Sequence, residues 1–216
     1  MKLYSYWRSS TSYRVRIALH LKGIAHEIVP VNLLNGEQNK KDYHVMNPMK
    51  AVPGLMLADG RIITQSQAIL RYLDKAYPTP PLGPDDPVLS ARAEAAALVI
   101  ATDIHPVHNL KVINHLKQLD HGQTDITQWV NHWIRDGLKA FLQLIDDGAY
   151  SFGDEVSLAD ICLIPQLYVA RRWGTNLQGL SRLTEIEKNC LEKDEFQKAH
   201  PDNQIDCPRP VTHKAD

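Results

Sequence analysis

The stretch YWRSSTSYRVRIALHLKG, residues 6–23, passes from an aromatic, strand-like run into an amphipathic helix that ends at Gly23. Arg8 and a run of hydroxyl side chains at residues 9–12 occupy the junction. Serine and threonine are favoured helix N-caps. The start of a helix also attracts anions, because its first N–H groups have no partners within the helix. The junction is therefore either an ordinary cap or an anion site, and this stretch alone leaves both readings open.

The composition favours a globular protein of ordinary charge. The 216 residues carry 24 basic and 25 acidic side chains, a net charge of −1, without the basic runs that bind nucleic acid. No run of about 20 apolar residues is present, and the initial MKLYSYW lacks a signal-peptide core. The cysteines, Cys162, Cys190 and Cys207, are scattered, which favours a reducing compartment. We expect a cytoplasmic protein with no nucleic-acid partner, no membrane partner and no metal.

The first third alternates strand and helix signals. Strands are predicted at residues 2–7, 26–33, 54–58 and 61–64, the last two around the turn Asp59-Gly60. Helices are predicted at residues 12–23, at about 37–45 and after Ser66. The order β-α-β-α-β-β-α indicates a compact α/β domain with a mixed sheet over residues 1–80.

A proline-rich linker at residues 75–87 precedes a second half with helical periodicity and almost no strand signal. Helices are predicted there at residues 88–118, 125–146, 157–172 and 181–196. A polar, irregular tail is predicted at residues 200–216. The fold class is therefore α/β plus all-α, with an N-terminal domain at 1–80 and a helical domain at 88–216.

Two short motifs in the first domain suit either structure or binding. Val52-Pro53 precedes a strand, and a trans bond is favoured, because only about 5–6% of X-Pro bonds are cis. A cis turn would instead present the Val52 backbone to a bound peptide. Gln65 and Ser66 stand where a strand meets a helix, and Ser66 is favoured as a simple N-cap over a second anion site.

Two helix-end motifs occur in the second half. Ser157 and Asp160 have the spacing of a capping box, with Asp in the place of the usual Glu or Gln, and are read as structural. Arg171 and Arg172 end the same helix, where cations suit the helix dipole. Arginine is also the side chain that binds carboxylates bidentately, so a ligand role for this pair stays open.

His105 and His108 flank Pro106 at a spacing that brings both rings to one helix face. A metal site would need further ligands, and Asp103 is a weak candidate. Half-exposed histidines beside a proline kink are as good an interpretation as a ligand site.

Longer motifs carry a family resemblance: SYWRSSTSYRVRIAL, NPMKAVP, QSQAI, PTPPL, FGDEVSLADICLIPQ and FQKAHP. In this order they resemble the cytosolic glutathione transferases over essentially the whole chain. They are very similar to the zeta class, which includes maleylacetoacetate isomerases and bacterial maleylpyruvate isomerases. Thr11 departs from the Ser-Ser-Cys signature of that class, which excludes a protein thiol there; maleylpyruvate isomerases can carry Thr at this place.

The resemblance implies a thioredoxin-like N-terminal domain, a helical-bundle C-terminal domain, a homodimer and glutathione as cofactor. It implies catalytic support of the glutathione sulfur by Ser9, Ser10 and Thr11. The glutathione-binding set it implies is Ser9, Ser10, Thr11, Ser12, Tyr13, Arg14, Val52, Gln65, Ser66, His105, Asn109, Leu110 and Lys111. The substrate-binding set it implies is Arg8, His105, His108 and Arg172.

The implied reaction is the glutathione-dependent cis–trans isomerisation of maleylacetoacetate, a small dicarboxylate keto-acid, in tyrosine and phenylalanine catabolism. Maleylpyruvate isomerisation in gentisate breakdown is the close alternative, favoured by Thr11 and by His105-Pro106. A general glutathione transferase and a non-catalytic thioredoxin-fold binding protein also stay open. The presence of Ser9, Gln65 and Ser66 argues against the binding protein, which needs no thiolate site.

Overall fold

The structure is a computed structural model that describes residues 1–208. The chain divides into two compact units, of which the first holds Met1–Pro78 together with the described residues from Asp194 onward. The second unit holds Thr79–Lys193. The sequence domains 1–80 and 88–216 stay a prediction, and the compact units differ from them in grouping the segment after Asp194 with the first unit. The predicted tail lies partly outside the described residues, from residue 209 on.

A four-stranded mixed sheet organises the first unit. Its strands are β1 Lys2–Ser5, β2 Glu27–Pro30, β3 Gly54–Met56 and β4 Ile62–Thr64. The spatial order is β2-β1-β3-β4, with β1 parallel to β2 and antiparallel to β3, and with β3 antiparallel to β4. Leu3 and Leu55 pair across β1 and β3 and are fully buried. The predicted mixed sheet is confirmed.

Helices make up most of the rest of the described chain. They are α1 Ser10–Leu21, α2 Lys41–Met46, α3 Ser66–Ala76, α4 Pro87–Leu98, α5 Leu110–Gln118, α6 Gln123–Leu144, α7 Leu158–Arg172, α8 Ser181–Leu191 and α9 Asp194–Ala199. Short 3-10 segments lie at Glu37–Asn39, Pro106–His108 and Pro201–Asn203, and a π-helical segment lies at Val99–Ile104. Within residues 1–208, no helix is long and apolar enough to cross a membrane.

The turn from β1 to α1 is fixed by Arg16, a fully buried arginine of α1. Its guanidinium donates to the Ser5 hydroxyl at 3.1 Å, to the Trp7 carbonyl at 3.0 Å and to the Ala199 carbonyl at 2.9 Å. A buried cation is tolerated when its donors are satisfied in this way. Strand β1 ends at Ser5, two residues earlier than predicted, and Arg8 lies in the turn that follows it.

His20, near the end of α1, should make the folding stability of the protein sensitive to acid. Burial, helped by His26, Lys198 and Arg16 and opposed by Glu195, lowers the pKa of His20 from its ordinary 6.5 to about 4. Between pH 6.5 and about pH 4, the His20 ring therefore binds a proton more readily in the unfolded chain than in the folded one. The contribution to stability is fully present above about pH 6.5 and is lost as the pH falls toward about 4. Because the ring is only half-buried, we expect a loss of about 1–2 kcal/mol.

Urea unfolding of His20→Gln between pH 7 and pH 4 tests this expectation. The variant should lose less stability over that range than the wild type. His121→Gln, at an exposed position, is the matched control and should follow the wild type. If His20→Gln and wild type lose the same stability, another group carries the acid sensitivity.

The prediction of one continuous helix over residues 88–118 is wrong. Helix α4 passes into the π-helical segment, the 3-10 turn at Pro106–His108 follows, and α5 begins only at Leu110. Pro106 has no N–H to donate, so regular helical bonding cannot continue through it. Asn109 then caps α5, because its side-chain oxygen accepts from the N–H groups of the second and third residues beyond it.

The core of the second unit is built around α6 and α7. Helix α6 buries Ile126, Val130, Ile134, Leu138 and Phe141, an i,i+4 stripe broken by one shorter step. Gly137 on the same helix lies against Ile104, so close that a Cβ there would stand 2.2 Å from the Ile104 Cγ1. This contact seats the π-helical segment directly before His105.

The predicted capping box at the start of α7 is confirmed. Asp160 is fully buried, and it accepts hydrogen bonds from the Ser157 N–H at 2.8 Å, the Ser157 hydroxyl at 2.9 Å and the Ser151 N–H at 2.8 Å. The box therefore ties the start of α7 to the preceding loop as well as satisfying its own helix end.

Candidate active site

The start of α1 carries a directed chain of hydroxyl hydrogen bonds. Thr11 Oγ1 donates to the Val52 carbonyl at 2.9 Å and lies 2.9 Å from Ser9 Oγ. Because the single Thr11 proton goes to a carbonyl, Ser9 is the donor in the bond to Thr11. Ser9 Oγ in turn accepts from the Ser12 N–H at 3.2 Å and so caps α1. Ser9 thus caps the helix and still holds a hydroxyl proton that can be redirected.

The Val52 turn lies 41 residues further along the chain yet meets this hydroxyl chain directly. The Val52-Pro53 bond is cis, so the trans bond favoured from the sequence was wrong. The Val52 N–H has no acceptor among residues 1–208, while the Val52 carbonyl accepts from Thr11. A carbonyl has a second lone pair. Val52 can therefore offer one donor and one acceptor to a bound peptide backbone.

Two side chains that the sequence did not single out hold this turn from behind. The Tyr43 hydroxyl and the Asn47 side-chain amide both donate to the Ala51 carbonyl at 2.7 Å. Burial raises the pKa of Tyr43 to about 12, so its hydroxyl stays protonated as a donor. The Asn-Pro pair in NPMKAVP was the available signal for Asn47. Nothing local pointed to Tyr43, whose contact spans 8 residues.

The start of α3 differs from the simple cap expected there. Gln65, not Ser66, occupies the N-cap position, with a left-handed φ of 68° and no side-chain hydrogen bond to the helix. A left-handed glutamine is uncommon, and such backbone strain concentrates at functional sites. Ser66 is the first helical residue and is buried. The N-terminus of α3 therefore lacks a side-chain cap and suits an anion.

Four other residues predicted to bind glutathione in the first unit are buried. Ser10, Ser12, Tyr13 and Arg14 are all buried in α1. Tyr13 packs edge-on against the His200 ring, with centroids 5.9 Å apart. Their predicted glutathione contacts stay predictions.

Arg8 is half-buried and stacks over the Trp7 ring, with its guanidinium carbon 5.5 Å from the centroid. The structure thus brings together Ser9, Thr11 and Val52 as one cluster. It places Gln65 and Ser66 at a second helix start in the same unit.

The histidines predicted in the second unit lie together. The rings of His105 and His108 meet edge-on with centroids 5.4 Å apart. His108 is buried, and its Nε2 lies 3.3 Å from the side-chain oxygen of Gln166, a partner that the sequence did not indicate. No group of three or more potential metal-binding side chains is found within residues 1–208.

Of the remaining predicted residues of the second unit, Leu110, Lys111 and Arg172 are exposed and Asn109 is partly exposed. Leu110 and Lys111 open α5, directly after the capping Asn109. Arg171 pairs with Glu187 through both ends of its guanidinium, which is the structural role that the sequence left open for this arginine pair. Arg172 instead lies over the Tyr168 ring, 5.9 Å from its centroid.

Known proteins match this chain along nearly its whole length. The family model for the glutathione S-transferase N-terminal domain matches residues 8–76. A maleylacetoacetate isomerase of Pseudomonas aeruginosa is 44% identical over 210 residues, 96% of this chain and 99% of that protein. The solved holo structure of a maleylpyruvate isomerase, a bacterial zeta-class glutathione S-transferase, has a TM-score of 0.93 at 38% identity and covers 96% of this chain and 100% of its own. A solved maleylacetoacetate isomerase of Methylobacterium extorquens, with bound malonate and glutathione, has a TM-score of 0.93 at 36% identity and covers 97% and 100%.

These likenesses and the mixed sheet with its helical second half define the glutathione transferase fold, as predicted. Within that fold, the chain belongs to the zeta class, the family of the maleylacetoacetate and maleylpyruvate isomerases. The family resemblance drawn from the motifs is confirmed.

Proposed function

We propose that this protein isomerises maleylacetoacetate to fumarylacetoacetate with glutathione as cofactor, in tyrosine and phenylalanine catabolism. The observation that carries the proposal is the hydroxyl chain from Ser9 through Thr11 to Val52, in the same unit as the uncapped start of α3. Relatives named for this reaction, and a relative with bound glutathione, support it.

The residues of the first unit fit glutathione as a peptide with an anionic end. Val52 offers a backbone donor and acceptor to the cysteinyl unit. Gln65 and Ser66, at the uncapped N-terminus of α3, suit the γ-glutamyl carboxylate. Ser9 offers a hydroxyl proton to the sulfur, with Ser10 and Thr11 supporting from the same helix start.

Bound glutathione supplies a thiolate that adds reversibly to the conjugated double bond and so permits rotation about it. A thiol of pKa about 8.5 is only about 3% ionised at pH 7. Ser9 favours the ionised form by turning its proton from Thr11 to the sulfur, and the helix start adds positive potential. Lowering that pKa by about two units corresponds to about 2.7 kcal/mol.

The substrate carries two carboxylates, so cationic anchors are required. In the second unit we assign this role to Arg172, and the family resemblance implies substrate-binding roles for Arg8, His105 and His108 as well. The pairing of Arg171 with Glu187 supports this choice, because the structural role belongs to Arg171. A charge-assisted hydrogen bond to a carboxylate contributes about 1.5–3 kcal/mol.

Arg172→Lys should lower kcat/KM for the keto-acid by about tenfold, because lysine keeps the charge and loses the planar fork. Arg171→Lys is the matched control and should leave kcat/KM near the wild-type value while lowering stability slightly, since Glu187 loses a bidentate partner. Steady-state kinetics at saturating glutathione measure both. Damage confined to Arg171→Lys would remove Arg172 as an anchor.

Maleylpyruvate isomerisation is the second candidate, and Thr11 together with His105-Pro106 favours it. Both keto-acids should be assayed with and without glutathione. Turnover of either, dependent on glutathione, supports the isomerase and ranks the substrates by kcat/KM. No turnover of either, with glutathione still bound, would favour a general transferase or a thioredoxin-fold binding protein.

We also propose a homodimer in the cytoplasm, as the family resemblance implies. Sedimentation at micromolar concentration should give about twice the 24.4 kDa chain mass. A monomer under those conditions would remove the dimer proposal.

A further inference from the structure

Arg14 places a buried positive charge behind the start of α3. Its side chain, on α1, is 1% exposed. Its Nη1 donates to Ser66 Oγ at 3.3 Å, a buried contact between side chains 52 residues apart in the chain. Arginine stays protonated in proteins, so this is a permanent charge one hydrogen bond away from Ser66.

The direction of this bond decides what the Ser66 hydroxyl can do. A guanidinium only donates, so Ser66 Oγ must be the acceptor. The Ser66 proton is then left for another acceptor, and none is found among residues 1–208. Ser66 is 5% exposed, so this is a buried hydroxyl whose proton awaits a partner. It stands at a helix start without a side-chain cap, next to the left-handed Gln65.

We propose that Arg14 is a positioning residue that orients the Ser66 hydroxyl toward the γ-glutamyl carboxylate of glutathione. Arg14 occupies the acceptor side of Ser66 Oγ and thereby commits the proton to the incoming carboxylate. This inference rests on the proposed function, because it requires glutathione to be the ligand. It goes further in assigning part of the selectivity for the carboxylate to Arg14, which acts through the Ser66 hydroxyl.

The competing interpretation is that Arg14 merely links α1 to α3. Such a role would stabilise the unit and would treat all ligands alike. A positioning role affects only ligands that carry the carboxylate. The test therefore compares glutathione with γ-aminobutyryl-cysteinyl-glycine, which keeps the thiol and the peptide but lacks the γ-glutamyl α-carboxylate. The readout is the ratio of the two dissociation constants from calorimetric titration.

The wild type should bind glutathione about 10- to 100-fold more tightly than the analogue, the range of one charge-assisted hydrogen bond. Arg14→Lys keeps the charge and loses the fork that fixes the geometry, so the ratio should fall severalfold. Arg16→Lys is the matched control, another buried arginine of α1 that contacts Ser5. It should lower thermal stability and leave the ratio unchanged.

The decisive comparison is made in Ser66→Ala. If Arg14 acts through Ser66, adding Arg14→Lys to Ser66→Ala should not lower the ratio further. An unchanged ratio in the single variant Arg14→Lys would overturn the proposal, and so would a further fall in the double variant. Should Arg14→Lys fail to fold, a ratio in Ser66→Ala equal to the wild-type ratio would overturn it as well, since Arg14 would then have nothing to position.

The proposed function fails separately from this inference. Wild-type protein that does not bind glutathione, or that isomerises neither keto-acid in its presence, contradicts the function. Wild-type protein that isomerises with glutathione but binds the analogue equally well keeps the function and overturns the role of Arg14.

Discussion

Replacing Asp160 with alanine should lower the free energy of unfolding by about 3–5 kcal/mol, because it leaves several buried donors without an acceptor. The carboxylate is fully buried and accepts from the N–H and hydroxyl of Ser157 and from the N–H of Ser151. Water cannot replace it without opening the start of α7. That helix is buried along most of its length, so the loss reaches the core of the second unit.

Asp86→Ala is the matched control for Asp160→Ala. Asp86 also caps a helix, α4, and accepts from the N–H groups of Val88 and Leu89, but it is exposed. Water can therefore accept from these N–H groups in Asp86→Ala, and the free energy of unfolding should fall by only about 1 kcal/mol. Urea unfolding at neutral pH measures both variants. Equal losses would show that burial adds nothing to the cap at Asp160.

Local signals explain which parts of the fold the sequence predicted correctly. The two residues of the capping box, Ser157 and Asp160, are only three positions apart, and the hairpin around Asp59-Gly60 is marked by its turn dipeptide. The mixed sheet followed from the order of strands and helices, which is also readable in short windows. These features depend on neighbours in the chain, so single-sequence reasoning reaches them.

The features that were missed depend on partners far away in the chain. Thr11 meets Val52 across 41 residues, and Arg14 meets Ser66 across 52. No periodicity or cap signal reports such pairs, and the resemblance to a family indicated the site residues without their hydrogen bonds. Gln65 is a local exception: it occupies the N-cap position expected for Ser66, against the ordinary preference for serine.

The hydroxyl chain at the start of α1 predicts the largest effect on catalysis. At pH 7, Ser9→Ala should lower kcat by about 25-fold, because a rise in the thiol pKa from about 6.5 to about 8.5 lowers the ionised fraction from about 76% to about 3%. The dissociation constant of glutathione should change much less. The reason is that the Ser9 proton is directed at charge on sulfur, while Val52, Gln65 and Ser66 hold the rest of the ligand. The pKa of the bound thiol, followed by thiolate absorbance, should rise toward about 8.5 in the variant.

Two controls separate this role from the capping role of Ser9, which accepts from the Ser12 N–H at 3.2 Å. Ser9→Thr keeps both the cap and the hydroxyl proton and should retain most of the activity. Ser66→Ala should raise the glutathione concentration needed for half-maximal rate and leave kcat nearly unchanged. If Ser9→Ala and Ser66→Ala lowered glutathione affinity equally and left kcat unchanged, the assignment of catalysis to Ser9 and of binding to Ser66 would be wrong. Ser10 begins the same helix, so its hydroxyl could replace the one removed in Ser9→Ala and make the effect on kcat mild. In that case the double variant Ser9→Ala with Ser10→Ala should show the full loss of kcat if hydroxyl donation lowers the thiol pKa.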